Sequence, residues 1–451
     1  MNGGLSMVEM KSGYKMTEVG VIPEDWEVKE FNETFSVIPN NSLSRDYLNT
    51  HAGEYHDIHY GDVLIRYGAL LDAGNTEIPF INKAITDKWV NRRIVTEGDI
   101  IMADTAEDNT VGKCSEVINV NHKKIVSGLH TFWLHPNEGL FEKGFLGYFM
   151  NHSLYHNQLL PLIHGTKVSS VSKNEILGTR VLVPLKNEQT AIATALSDVD
   201  SLISALTKKI EKKKAIKQGL MQQLLTGKER LPGYEKNRES VQTEWGAIPK
   251  DWKTLSIGKC CSIKARIGWQ GLKKSEYLSS GEYVLVTGTD FLNGRIDWKS
   301  CVYVSKKRYE QDANIQIVKH DILITKDGTI GKVAFLDVVP CLGTLNSGIF
   351  VVRSQSEELD QCYLSKIFES FIFDSFLESL VAGSTINHLY QKDFVHFNFP
   401  VPPTISEQTA IANILSDCDS EIAALEEKRD KYKEIKQGMM QQLLTGKIRL
   451  I

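Results

Sequence analysis

Lys264, Arg266, Trp269, Gln270, Lys273 and Lys274 fall within one eleven-residue run, KARIGWQGLKK, and Lys306-Lys307-Arg308 follow. Cations interleaved with an aromatic ring and an amide suit phosphate contact combined with hydrogen bonding to base edges. In the first half of the chain Arg92, Arg93, Lys113, Lys123, Lys124 and Lys167 are the comparable cations. Two further stretches, GTKVSSVSK from Gly165 and GSTINHLYQK from Gly383, each set a glycine before small hydroxyl, amide and basic groups. Such loops can approach a groove closely, which makes Ser169, Ser170, Thr385, Asn387 and His388 candidates, with Lys326 and Lys332 from HDILITKDGTIGK. For any single one of these residues the plain alternative is a solvated surface position. Ser172 and Glu175 also have capping-box spacing, which by itself only starts a helix.

Chemistry beyond contact is not written here. There is no GxxxxGK[ST] phosphate loop, no NPPY or DPPY tetrapeptide of an amino-methyltransferase, no glycine-rich strand–helix turn for S-adenosylmethionine, no HExxH and no serine elbow. The twelve histidines have no ligand spacing, and the seven cysteines form no CxxC pair, which argues against a zinc site or a disulfide framework. Reduced thiols fit the cytoplasm. A net charge of -4 excludes a uniformly basic coating protein while leaving room for local basic surfaces. No apolar run approaches membrane-spanning length. The residues describe a reader and scaffold, with no catalytic or metal residues and no cofactor in this chain.

What positions these groups is a repeat. IKQGLMQQLLTGK (from Ile216) and IKQGMMQQLLTGK (from Ile435) differ at one residue, and Gln189–Leu231 matches Gln408–Leu450 at thirty of forty-three positions. EVGVIPEDW (from Glu18) matches EWGAIPKDW (from Glu244). Between these anchors the halves diverge, apart from three echoes. GDIIMADTAEDNTVGK corresponds to HDILITKDGTIGK, Ser127-Gly128 to Ser347-Gly348, and Gly165–Pro184 to Gly383–Pro402. Constant anchors around variable interiors imply two demands on each half.

The constant parts read as long helices. Asn187 and Ser406 are placed to cap their starts, and Gly227 and Gly446 their ends. Ile192, Leu196, Val199, Ile203, Leu206 and Ile210 alternate at spacings of four and three, as do Ile411, Leu415, Cys418, Ile422 and Leu425. That is a heptad seam, weakened near Lys213 and Arg429. A two-fold relation would pair the helices as an antiparallel coiled coil with a domain at either end. Gly219 and Gly438 interrupt the helical pattern at a cost of about 1 kcal/mol each. With Met221, Gln222, Gln223, Met440, Gln441 and Gln442 they suggest an adaptable docking face for a partner.

The variable parts read as α+β, with twisted, mainly antiparallel sheets built from segments such as Val63–Tyr67, Asp99–Ala103, Thr131–His135, Tyr283–Gly288, Asp321–Thr325 and Gly348–Arg353. Helical patterns follow near Phe141–Asn151 and Asp360–Leu380. The expected segments are a leader at 1–16, a domain at 17–186, a spacer helix at 187–230, a linker at 231–243, a second domain at 244–404 and a second spacer helix at 405–451.

With its IPxDW motifs, GDI…GK strands, VP-x(3–4)-EQ-x-AI helix starts and twin KQGxMQQLLTGK ends, the chain resembles the specificity subunit of type I restriction-modification enzymes from about Thr17 to Ile451. The resemblance implies two target-recognition domains, each reading half of a bipartite site on double-stranded DNA. It implies that the helices set the gap and bind two methyltransferase subunits, and through them restriction subunits. S-adenosylmethionine, ATP and Mg are then expected on those partners, and the unlike domains imply an asymmetric site. Two other readings compete. A self-contained methyltransferase lacks its catalytic tetrapeptide, and a structural coiled-coil protein predicts no sequence preference.

Overall fold

The computed structural model describes residues 12–86, 93–165, 167–235, 239–381 and 388–451. The chain forms two compact units. One comprises residues up to Thr207 with Glu427–Ile451, the other Lys208–Glu426. Each contains one diverged globular region, part of one long helix from its start and part of the other to its end.

In the first unit a five-stranded sheet runs in the order Phe35–Ile38, Thr131–Pro136, Ile100–Ala103, Cys114–Ile118, Leu70–Asp72, antiparallel except for the last pair. A four-stranded sheet orders Lys124–Ser127, Tyr55–Ile58, Phe80–Ile81 and Leu48–Asn49. In the second unit Cys261–Ala265, Ile349–Ser354, Ile322–Thr325 and Val333–Phe335 make an antiparallel sheet, beside a three-stranded sheet of Val302–Val304, Tyr283–Val286 and Gly343–Leu345. Ile100 to Ala103 and Ile322 to Thr325 are all buried. This is why both read as continuous apolar runs and not as alternating ones. Each fully buried large apolar side chain contributes roughly 1.5–3 kcal/mol.

Three expectations change. Val63–Tyr67 is not a strand: a helix covers Tyr60–Ile65, started by the His59 ring, which accepts from the Gly61 amide at 3.3 Å. The apolar run Val63–Ile65 is only three residues long and cannot show its period, so the local cap decides. Residues 14–16 are not leader, because Tyr14–Thr17 pairs antiparallel with Gly20–Pro23, as Ser240–Thr243 pairs with Gly246–Pro249. The long helices span Lys186–Leu224 and Ile405–Leu443, so Asn187 and Ser406 lie inside the first turns and do not cap them. At the second helix the Thr404 hydroxyl accepts from the Glu407 amide at 3.3 Å instead. The ends are as expected: Gly227 and Gly446 adopt φ of 66° and 67° just beyond the last turns.

Within each unit the helix segments run antiparallel. In the second, Lys217 meets Asp419 at 2.5 Å and Lys213 meets Glu421 at 2.7 Å, so numbers rise on one helix as they fall on the other. In the first, Lys436 meets Asp200 at 2.7 Å, the repeat equivalent of Lys217–Asp419. The expected seam is only partly a helix–helix seam. Ile192 and Leu196 belong to the first unit's core with Leu443 and Leu444, and Ile411 and Leu415 to the second's with Leu224 and Leu225. Leu206, Ile210 and Ile422 are buried, while Val199, Ile203, Cys418 and Leu425 are half-buried. The helix starts therefore serve first as domain core.

Candidate nucleic-acid interface

The echoes that survive divergence meet in space. In the first unit Thr105–Ala106 pairs with Ser169–Ser170, and the Val171 amide donates to the Asp104 carbonyl at 3.0 Å. In the second unit Asp327 bridges His388, and the Leu389 amide donates to the Lys326 carbonyl at 2.8 Å. Both units thus join the loop after the GDI strand to the Gly165 or Gly383 loop through the same backbone contacts.

The side chains presented there differ. In the first unit the Thr105 hydroxyl donates to the Asp104 carboxylate at 2.6 Å, and His130 lies 3.3 Å from the same carboxylate. The Ser172–Glu175 capping box forms as spaced. Hydrogen bonds from Ser172, and then His164, hold the Glu175 carboxyl down at about 2. In the second unit a lysine replaces the aspartate: Lys326 lies over the Phe350 ring at 5.3 Å. Asp327 hydrogen-bonds His388, whose ring packs on Tyr390 at 4.5 Å, and Lys392 lies over that ring at 5.5 Å. One backbone junction carries an acidic, hydroxylic face in one unit and a cationic, aromatic face in the other.

The remaining candidates divide. Arg93, Lys167, Lys264, Lys273, Lys274 and Lys332 are exposed. Lys113 is spent inside the domain: its ammonium donates to the Leu64 carbonyl at 2.5 Å, and burial lowers its pKa. Arg266 is a correction. It is 2% exposed and donates to the Leu345 carbonyl at 2.8 Å and the Thr344 hydroxyl at 3.0 Å, tying two strands together. Gln270 is also a correction, with its amide buried. Arg92, Thr385 and Asn387 lie outside the described residues, as does the Trp269 side chain.

Sequence reasoning missed the residues that lock the anchors together. Glu188 is fully buried and accepts from Trp26 Nε1 at 2.8 Å and from Arg449 Nε and Nη2 at 2.6 and 2.8 Å. Arg449 also reaches Asp25 at 2.8 Å. The Glu188 hydrogen bonds, then those of Asp25, raise the Arg449 pKa further. In the second unit Arg230 repeats this with Glu407 at 2.7 Å and Asp251 at 2.8 Å. Gln189 and Gln408, next in sequence, hold the chain entering each helix. Their amides donate to the Pro184 and Pro402 carbonyls at 2.8 and 3.1 Å. Gly446 and Gly227 press on the Pro-Trp motifs: a Cβ on Gly446 would lie 2.4 Å from Pro23 Cγ, and one on Gly227 2.6 Å from Pro249. The available signal was joint repetition, since IPxDW, EQ and LLTGKxR recur together as the three parts of one junction.

Of the expected docking residues, Gly219, Gly438, Gln222, Gln441 and Gln442 are exposed, and no atom lies within 4 Å of a Cβ built on either glycine. Met221 is a correction: it is 5% exposed, in the second unit's core, because Leu224 and Leu225 continue its buried face. Gln223 and Met440 are half-buried. In the first unit Gly438 opens onto an apolar hollow of about 340 Å³ floored by Met439, Leu443 and Leu450. Among the described residues no helix is long and apolar enough to cross a membrane.

Comparison with known proteins gives a consistent result. The family described as "Type I restriction modification DNA specificity domain" matches residues 23–218 and 249–437. The chain is 25% identical to the type I restriction enzyme MjaVIII specificity subunit of Methanocaldococcus jannaschii, over 95% of this chain and 94% of that one. Among solved structures it resembles a type I restriction-modification S subunit from M. genitalium, with a TM-score of 0.58, 14% identity, and coverage of 93% and 96%. It also resembles a chain from a structure described as "Structural basis underlying complex assembly and conformational transition of the type I R-M system", with a TM-score of 0.50, 17% identity, and coverage of 95% and 99%.

Proposed function

From the membership of this chain in the type I restriction-modification DNA specificity family, as a non-catalytic specificity subunit, we propose that each unit reads one half of a bipartite, asymmetric double-stranded DNA site. The observation that carries this is the pair of loop junctions, alike in backbone contacts and unlike in side chains. A shared backbone junction fixes how DNA is approached, and different side chains alter which base edges are accepted.

The exposed repeated helix ends around Gly219 and Gly438 are assigned to docking two methyltransferase subunits. Restriction subunits join the complex through them. S-adenosylmethionine sits on the methyltransferase subunits, ATP and Mg on the restriction subunits, and the whole complex works in the cytoplasm. Two copies of one partner account for two nearly identical surfaces. The helices between the domains set the gap between half-sites.

Footprinting with the complex of this chain and its modification subunits tests the reading. It predicts two protected half-sites of different sequence separated by an indifferent gap, and no S-adenosylmethionine turnover by the chain alone. Uniform protection without preference favours a structural coiled-coil protein, and methyl transfer by the isolated chain contradicts the division of labour.

A further inference from the structure

One arginine in the first unit is built differently from the free surface lysines. Arg45 opens a short 3₁₀ turn, Arg45–Tyr47, and its side chain is about half exposed (49%). Behind it stands Asp62, whose side chain is 1% exposed. Asp62 Oδ1 meets Arg45 Nη2 at 3.0 Å and Arg66 Nη1 at 3.4 Å. Asp62 Oδ2 is buried without a hydrogen-bond partner among the described residues. Arg66 is tethered again, to the Glu77 carbonyl at 3.4 Å. Arg45 has no second partner among the described residues, so its guanidinium is restrained by the ion pair at Nη2 alone and Nε and Nη1 are unpaired.

The location is informative. Asp62 lies in the first turn of the Tyr60–Ile65 helix. The Tyr60 ring packs edge-on against His130 at 5.3 Å, and His130 pairs with Asp104 at the loop junction. Gly61, between Tyr60 and Asp62, lies against the same guanidinium: a Cβ built there would be 3.5 Å from Arg45 Nη2. Arg45 therefore borders the junction assigned to DNA, within the diverged stretch that the second half does not echo.

A buried, half-satisfied carboxylate is a poor choice for attracting phosphate. Its negative charge directly behind the guanidinium subtracts from the field a phosphate would feel, and burying it is costly unless it is paired. What it supplies is direction. A guanidinium restrained by a buried carboxylate at Nη2 is biased in direction and loses less freedom on binding than a free one. The aimed fork matches the two acceptors, N7 and O6, that guanine presents in the major groove. We propose that Arg45, aimed by the positioning residue Asp62, reads a guanine edge in the half-site recognised by the first unit.

This rests on the reading of the unit as a DNA-recognition domain, and the test separates the two. The complex with its modification subunits is assayed for binding to its target, with each guanine of the half-site replaced in turn by 7-deazaguanine, which lacks the N7 acceptor. The wild-type complex should lose roughly ten- to a hundredfold affinity at one guanine. Arg45→Lys, which keeps the charge, should be insensitive at that guanine alone, and Asp62→Asn should show a reduced penalty there. The other half-site serves as the internal control for folding. If Arg45→Lys keeps the wild-type penalty at every guanine, or weakens binding uniformly, Arg45 is a phosphate contact and the proposal is overturned. A half-site without guanine also overturns it. A wild-type complex with no sequence preference overturns instead the reading on which the proposal stands.

Discussion

Arg449, at the end of the chain, closes a two-pronged ion pair on the fully buried Glu188 at 2.6 and 2.8 Å. The equivalent pair in the second unit, Arg230 on Glu407, joins residues on either side of the internal linker. The C-terminal segment therefore does for the first unit what the middle of the chain does for the second. Arg449→Ala leaves the Glu188 carboxylate buried with only Trp26 as donor. It should destabilise the first unit by about 3 kcal/mol, the usual penalty for breaking a buried pair from one side. Thermal melting reads the loss, and Lys447→Ala, on an exposed residue, should be neutral.

The same relationship should make the chain tolerant of new ends. The Tyr14 hydroxyl donates to the Gly446 carbonyl at 2.7 Å, so the strand Tyr14–Thr17 meets the C-terminal segment inside one unit. Joining Ile451 to Ser12 through a short Gly/Ser linker, and opening the chain between Glu235 and Glu239, should preserve both half-sites in footprinting. Unfolding of the first unit in this permutant contradicts the arrangement.

Two kinds of glycine in the repeat should respond oppositely to alanine. Gly446 adopts φ of 67° and its Cβ would strike Pro23 and approach Trp26. Gly446→Ala should therefore cost more than the roughly 1 kcal/mol typical of such backbone strain. Gly438 is helical and open, so Gly438→Ala should stabilise by about 1 kcal/mol while weakening retention of the modification subunit. Melting and co-purification measure the two effects, and unchanged retention removes this face from the docking site.

Burial raises the Asp57 carboxyl to about 7 from 3.8, against the lowering effect of the Asn41 amide. The folded value exceeds the unfolded one, so its favourable contribution is complete below pH 3.8 and is lost as pH rises through 7. Asp57→Asn removes that loss. Its melting temperature should exceed the wild type's at pH 8 by about 2–4 °C per kcal/mol recovered, with little gain at pH 4. An equal gain at both pH values contradicts a titrating Asp57.

The strands of the cores were legible because Ile100–Ala103 and Ile322–Thr325 are continuous apolar runs between turn residues. The long helices were legible because the repeat displays them twice. The helix at Tyr60–Ile65 was not, since the three apolar residues Val63–Ile65 carry no period and the His59 cap is a local geometric fact. Arg266 was misjudged for a related reason: sequence shows a cation beside an aromatic, whereas the carbonyl of Leu345 that claims it comes from a distant strand. Glu188 was overlooked because its partners, Trp26 and Arg449, lie near opposite ends of the chain.

Helix length should set the gap between half-sites. Four residues inserted at the boundary between the units in each helix, after Thr207 and after Glu426, leave the Lys213–Glu421 and Lys436–Asp200 pairs within their units. The added turn is about 5.4 Å, or one to two base pairs at about 3.4 Å each. The gap should lengthen while both half-sites stay the same, as read by footprinting. An unchanged gap with persisting activity removes the helices from that role.

The most direct test exchanges residues Phe31–Leu182 for the first domain of another family member and sequences the methylome of a host expressing the chimaera with its modification subunits. The account predicts that one half of the methylated site changes to the donor's sequence, while the other half and the gap persist. Alteration of both halves, or of neither, in an active complex would contradict independent reading by two domains on a shared frame.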